Sequence, residues 1–208
     1  MSELLTSRIQ QAREQLARRR EEIREMHTAG ATGSQVVAAL TVMMDGVAAR
    51  LAGSVVNELS PSDVSAFESG MALVAIGGYG RAELAPFSDV DLLFLYQPEI
   101  QYVAERVCEQ IVRDFWDSGL VLGSSMRTAA ECRSLAREDT SVHTALLEAR
   151  HVLGNSWLTG ELREQIFGLT RGRQANSFIT GAERERAAEQ AKSGSNVHLL
   201  EPDLKKSK

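Results

Sequence analysis

Residues 75–96 read AIGGYGRAELAPFSDVDLLFLY, and the fold turns on how this stretch is parsed. The apolar run Met71 to Ile76 (MALVAI) ends in Gly77-Gly78, and a second run, Val90 to Tyr96, begins among Ser88, Asp89 and Asp91 and stops at Pro98. Short apolar runs bounded by such breakers are the pattern of buried strands. Along a strand, residues i and i+2 share a face, so Asp89 and Asp91 project together, their Cα atoms ~6–7 Å apart, while Val90 points into the core. Two like charges held side by side cost stability unless something positive joins them. Oxygen-only ligation without His or Cys suits Mg²⁺ or Mn²⁺, and Mg²⁺ on one or two carboxylates usually completes its shell with substrate phosphates. On the other side of the loop, Gly77 and Gly78 let the backbone approach a ligand closely, and Arg81 supplies a phosphate-matching fork. Ser88 adds a hydroxyl donor beside the acids. A dinucleotide-binding turn is excluded, because Gly78-Tyr79-Gly80 is followed by Arg-Ala-Glu and the acids arrive before any long helix. A P-loop is excluded by the lack of Gly-Lys-Ser/Thr. The plainer alternative is a turn followed by an edge strand with outward carboxylates.

Outward from this stretch the pattern is helical. Residues 3–27 and 34–58 carry apolar stripes, broken by TAGATG at 28–33. Arg18-Arg19-Arg20 beside Glu21-Glu22 reads as a solvated face with local ion pairs. Ser62 is expected to cap a short helix after Pro61. Residues 99–118 form a helix closed by Gly119 as C-cap, Leu120 to Met126 a weak third strand, and 128–137, 139–153, 156–170 and 173–191 further helices. Cys108 reads as core, and Trp116 and Trp157 as packing anchors. The sum is an α+β fold: a helical region at 1–69, a core with a small mixed sheet at 70–153, a helical segment at 154–191 and an irregular tail at 192–208.

The 208 residues are 43% hydrophobic with a net charge of −5, enough for one sizeable core and a poor footprint for nucleic acid. No apolar run is read as a membrane span. Two cysteines outside any CxxC spacing argue against a disulfide framework or a zinc site and fit the cytoplasm.

A Gly-Gly closing one strand with Asp-x-Asp on the next resembles the nucleotidyltransferase superfamily that includes DNA polymerase beta. More narrowly, GGYGRAELAPFSDVDLLFL is similar to the motif of protein-PII uridylyltransferases. The likeness extends through Ser124 to Gly154 and into NVHLLEPDLKKSK, and covers roughly residues 70–208. It implies a metal-dependent enzyme that moves UMP from UTP, or the corresponding nucleotide from another NTP, to a tyrosine of the PII signalling protein. Asp89 and Asp91 would be the catalytic, Mg²⁺-holding pair, and Gly77, Gly78, Arg81 and Ser88 the nucleotide-binding set. Family members are several times longer and carry a hydrolase domain that needs a His-Asp pair. None of His27, His143, His151 or His198 is followed by Asp, so the transferase module alone is expected here. The superfamily's third carboxylate has no obvious counterpart: the third strand holds no acid, and Asp117, Asp139 and Glu148 are the candidates. That gap keeps open a second class of function, an NTP-binding sensor or interaction module without turnover, and a third, transfer to another acceptor.

Overall fold

The computed structural model describes residues 2–171 and, beyond them, 179–181, 183, 184, 187 and 188, with side chains described from Arg8 onward. The expected tail at 192–208 and most of the helix at 173–191 lie outside the described residues. Two long helices, α1 (Ser2–Thr28) and α2 (Gly33–Asn57), precede the short α3 (Pro61–Gly70). Strand β1 (Met71–Ala75) runs into a single turn of helix, α4 (Gly77–Gly80), and β2 (Val90–Tyr96) returns beside it. A 3-10 turn and α5 (Gln101–Asp117) lead to β3 (Leu122–Arg127). Then come α6 (Ala129–Glu138), α7 (Thr140–Leu147), β4 (Arg150–Gly154) and α8 (Ser156–Leu169).

The strands form one mixed sheet in the order β3-β2-β1-β4, antiparallel except for the parallel pair β2–β3. This is the small mixed sheet of the expected α+β fold. Helices cover both faces. Leu73, Leu92 and Phe94 pack with α1, α2, α3 and α5, while Val74, Leu93 and Leu95 pack with α6, α7 and α8. Burial on both sides explains why β1 and β2 read as continuous apolar runs instead of alternating ones. It also removes the plainer reading of the acidic strand, since β2 lies inside the sheet with a partner on each side.

Several elements form as the sequence implies. Thr32 and Thr128 close capping boxes at α2 and α6 with Gln35 and Glu131. Gly119, at φ +79°, ends α5. Its amide bonds the Trp116 carbonyl while the Leu120 amide reaches Phe115, the paired bonds of a Schellman motif. Arg19–Glu22 and Arg24–Glu21 are local ion pairs on the exposed face of α1.

Other expectations are corrected. The segment 139–153 is not one helix: α7 stops at Leu147, and Arg150–Gly154 pairs antiparallel with β1 as an edge strand. Pairing with β1 overrides the local helical spacing there. The cap of α3 is Ser60, whose hydroxyl accepts the Asp63 amide at 3.2 Å, with Pro61 in the first helical position and Ser62 bonded to Ser60. Trp116 and Trp157 are not anchors but are 64% and 63% exposed. Each precedes or follows the residue that does pack, Phe115 or Leu158, and so lies on the outer side of its helix. Cys108 is half-buried against the core on the sheet face covered by α1, α2, α3 and α5, and burial pushes its thiol up to about 11. By length and composition α2 is apolar enough to cross a membrane, contrary to expectation. Here Met43, Met44, Val47, Ala48, Leu51 and Val55 are buried in the core.

Candidate active site

The antiparallel return places the end of β1 beside the start of β2, so the Gly-Gly turn and the acids meet at one end of the sheet. The Ile76 amide donates to the Asp91 carbonyl at 3.1 Å and fixes that junction. Asp91 lies on the β2 face that carries Leu93 and Leu95, toward α6 and α7, and Val90 is buried on the other face. Gly77 adopts φ +59°, in the left-handed region, and a Cβ there would stand 3.6 Å from Asp91 Oδ2. The parallel register sets Asp91 beside Gly123 of β3, where any Cβ would collide with Asp91 Oδ1. Gly123 of β3 therefore leaves the room that the Asp91 carboxylate occupies, and Gly77 of α4 lies within van der Waals reach of it. Asp89 is half-buried just ahead of the strand, with the exposed Ser88 hydroxyl at the long distance of 3.5 Å from its Oδ1.

Arg81 follows α4. Its Nε donates to Glu83 at 2.9 Å and its Nη1 to Glu148 at 2.6 Å, and both bonds hold the guanidinium in its charged form. A Cβ on Gly78 would stand 3.7 Å from the remaining nitrogen, Nη2, so the cation lies over the turn. Glu83 thus orients Arg81, and Glu148 pairs with it. Of the other candidate acids, Asp139 caps α7 through the Ser141 and Val142 amides, and Asp117 is exposed at the end of α5. No three His, Cys, Asp or Glu side chains converge as metal ligands among the described residues. The Asp91 carboxylate in its glycine-lined space, with Asp89 two residues before it, is nonetheless an oxygen donor set of the kind that fits Mg²⁺, whose other positions phosphates and water ordinarily fill.

The loop between turn and acids is strained. Ala82 and Phe87 sit at φ 61° and 63° without being glycine, which costs on the order of 1–2 kcal/mol each. Phe87 is fully exposed at the tip. Sequence reasoning missed Gly80 and Gly123. A Cβ on Gly80 would meet the Glu148 and Ala75 carbonyls, so this glycine lets α4 pack against the end of α7. Gly123 was legible only once the β2–β3 register was known.

Because Gly123 guards the space around Asp91, Gly123→Ala should leave the fold intact but displace the carboxylate. On the expectation that Asp91 holds Mg²⁺ and a nucleoside triphosphate, calorimetry should show Mg·UTP binding weakened roughly 10–100-fold, the range for disturbing the groups that orient metal ligands. Unchanged affinity would mean that the Asp91 carboxylate is not used.

A glycine turn closing one strand and an acid pair entering its antiparallel neighbour, in a mixed sheet covered by helices, are the features that carry the resemblance to the nucleotidyltransferase superfamily. Comparison narrows the class. The bifunctional uridylyltransferase/uridylyl-removing enzyme of Cereibacter sphaeroides is 44% identical over 139 residues, which is 66% of this chain and 15% of that protein. The enzyme of the same name from Phenylobacterium zucineum is 39% identical over 138 residues, again 66% and 15%. That from Azospirillum brasilense is 33% identical over 189 residues, 91% of this chain and 20% of the relative. No family model matches. The chain is a homologue of one stretch of the bifunctional uridylyltransferase/uridylyl-removing enzymes, and spans a fifth or less of their length.

Proposed function

We propose that this chain carries the nucleotidyl-transferring half of such an enzyme and moves UMP from UTP to a tyrosine hydroxyl of a PII-type signalling protein. The observation that carries the reading is the meeting of Gly77 and Gly123 around the Asp91 carboxylate. The uridylyltransferase names of its relatives supply the nucleotide and the reaction class. In the proposed reaction the tyrosine oxygen bonds to the α-phosphorus of UTP as the bond to the bridging oxygen breaks. UMP is left on the protein, pyrophosphate departs, and the hydroxyl proton passes to a carboxylate, for which Asp89 and Asp91 are the candidates. Mg²⁺, or Mn²⁺, held by the same two residues would supply charge for the phosphates. Gly77 and Gly78 present backbone close to the outer phosphates, Arg81 adds a fixed cation, and Ser88 a hydroxyl. Catalysis by positioning and electrostatics is what phosphoryl transfer requires. We place this chemistry in the cytoplasm, where the free thiols Cys108 and Cys132 stay reduced.

The test is incubation with each labelled NTP, Mg²⁺ and PII protein, followed by mass analysis of the acceptor. A gain of UMP from UTP alone is expected. The lack of an acid on β3 (LGSSMR) favours a second reading, nucleotide binding without turnover. Binding of UTP with no modified acceptor would select it. Within the first reading, Arg81→Ala should weaken Mg·UTP binding about 10–100-fold, the equivalent of a charge-assisted bond of about 1.5–3 kcal/mol. UMP, which lacks the outer phosphates, should lose far less. Equal losses would assign Arg81 to Glu83 and Glu148 alone.

A further inference from the structure

Residues 79–84, which follow the Gly-Gly turn, are fastened to a helix more than thirty residues upstream. Thr41 and Asp45 stand one turn apart on the same face of α2. The buried Thr41 hydroxyl accepts the Leu84 amide at 3.1 Å and donates to the Val37 carbonyl at 2.9 Å. Asp45 Oδ1 accepts the Tyr79 hydroxyl at 2.7 Å. Arg150 of β4 closes the network as a fork, Nη1 to Asp45 Oδ2 at 2.9 Å and Nη2 to Asp45 Oδ1 at 3.0 Å. The same Nη2 donates to the Tyr79 carbonyl at 3.1 Å, and the guanidinium lies 5.2 Å from the centre of the Tyr79 ring. Burial, then the Asp45 carboxylate, push the phenol well above its ordinary range, so Tyr79 stays a protonated donor.

We propose that Asp45 is a positioning residue of the nucleotide site: through Tyr79 and Arg150 it sets the placement of the Gly77-Gly78 turn against Asp91. This inference rests on the functional reading above. Tyr79 immediately follows the two glycines, and Leu84 immediately follows the Arg81 partner Glu83. The α2 face therefore holds both ends of the segment that carries Arg81. A helix interior is a stiffer reference than the strained loop itself, which has no regular ladder between Arg81 and Asp89. A turn that drifts by about 1 Å can lose on the order of 10²-fold in rate.

The variants are Asp45→Ala, Asp45→Asn and Tyr79→Phe, with Arg106→Ala, which breaks the remote pair to Asp63, as comparator. Each is assayed for kcat and separate KM values for Mg·UTP and PII protein, alongside thermal melting. Asp45→Ala should raise the KM for Mg·UTP at least tenfold and leave that for the acceptor unmoved. Asp45→Asn, which keeps an acceptor for Tyr79, and Tyr79→Phe, which keeps the ring beneath Arg150, should fall between it and wild type. A merely structural role would shrink the folded fraction, scaling kcat while leaving both KM values alone. Unchanged KM for Mg·UTP in both Asp45→Ala and Tyr79→Phe overturns the inference; should Asp45→Ala not fold, Tyr79→Phe decides. A wild-type chain that takes no UTP overturns the functional reading, and this inference falls with it.

Discussion

Asp91→Asn is expected to cut the proposed uridylyl transfer by on the order of 10²–10³-fold, the cost of removing one preorganised electrostatic contact from a transition state. The amide is nearly isosteric, so the space bounded by Gly77 and Gly123 is filled as before and only the charge is lost. A second readout separates this from a folding defect. A ligand at a hundredfold excess over its Kd stabilises the native state by about 2.7 kcal/mol. For a chain of this size that is roughly 5–11 °C in Tm. Mg·UTP should give the wild type this shift, and Asp91→Asn should lose it, as should Asp89→Asn. A variant that kept both the thermal shift and a rate within tenfold of wild type would show that Asp91 holds neither metal nor phosphate.

The place of Asp91 was legible in the sequence because a strand's period of two is short-range information. Val90 and Asp91 take opposite faces at the head of β2 and the apolar run after them announces that the strand is covered on both sides, whereas Asp89, expected on the same strand face as Asp91, lies just ahead of the strand. Strand β4 was not legible. Its residues are half-buried at the sheet edge, Arg150 and His151 are polar, and only pairing along the edge of β1 makes RHVLG a strand. The same limit hid Gly123, whose role depends on which residue of β2 it pairs with. The α2 contribution was hidden by distance along the chain, but it left a trace. Asp45 is the only acid in the 25 residues of α2, lodged in VVAALTVMMDGVAARLAGSVV, where a solvated face would carry several charges. An isolated carboxylate in a long apolar helix implies a specific partner, and the half-buried Arg150 is that partner. Trp116 and Trp157 failed for the converse reason: large aromatics are usually anchors, but helical phase, set here by Phe115 and Leu158, decides which side they take.

The largest stability effect should come from Arg8, a residue remote from the site. Asp114 of α5 is fully buried and 2.9 Å from Arg8 Nη2, while Arg8 Nη1 bonds Glu58, just past α2, at 2.6 Å. One guanidinium therefore joins α1, the end of α2 and α5, the layer on which the β1–β2 sheet rests. Arg8→Ala leaves a buried carboxylate whose remaining side-chain partner is Gln110 at 2.8 Å. Breaking such a pair costs about 3–5 kcal/mol, which corresponds to roughly 6–20 °C in Tm. The pH dependence identifies the cause. Burial already raises the Asp114 carboxyl above its ordinary value, with Gln110 and Arg8 opposing it, and loss of Arg8 raises it further. The folded state then binds this proton more tightly than the unfolded chain, so stability falls as pH rises from the unfolded value through the folded one. The deficit of Arg8→Ala should accordingly be greatest near neutrality and shrink on acidification, as the protonated acid no longer needs a cation. Adding Asp114→Asn to Arg8→Ala should recover part of the loss at pH 7, a coupling that a double-mutant cycle reads directly. A deficit of the same size at pH 7 and pH 4, with no recovery from Asp114→Asn, would assign the loss to Arg8 packing and remove the ion pair from the account of how α1 is held.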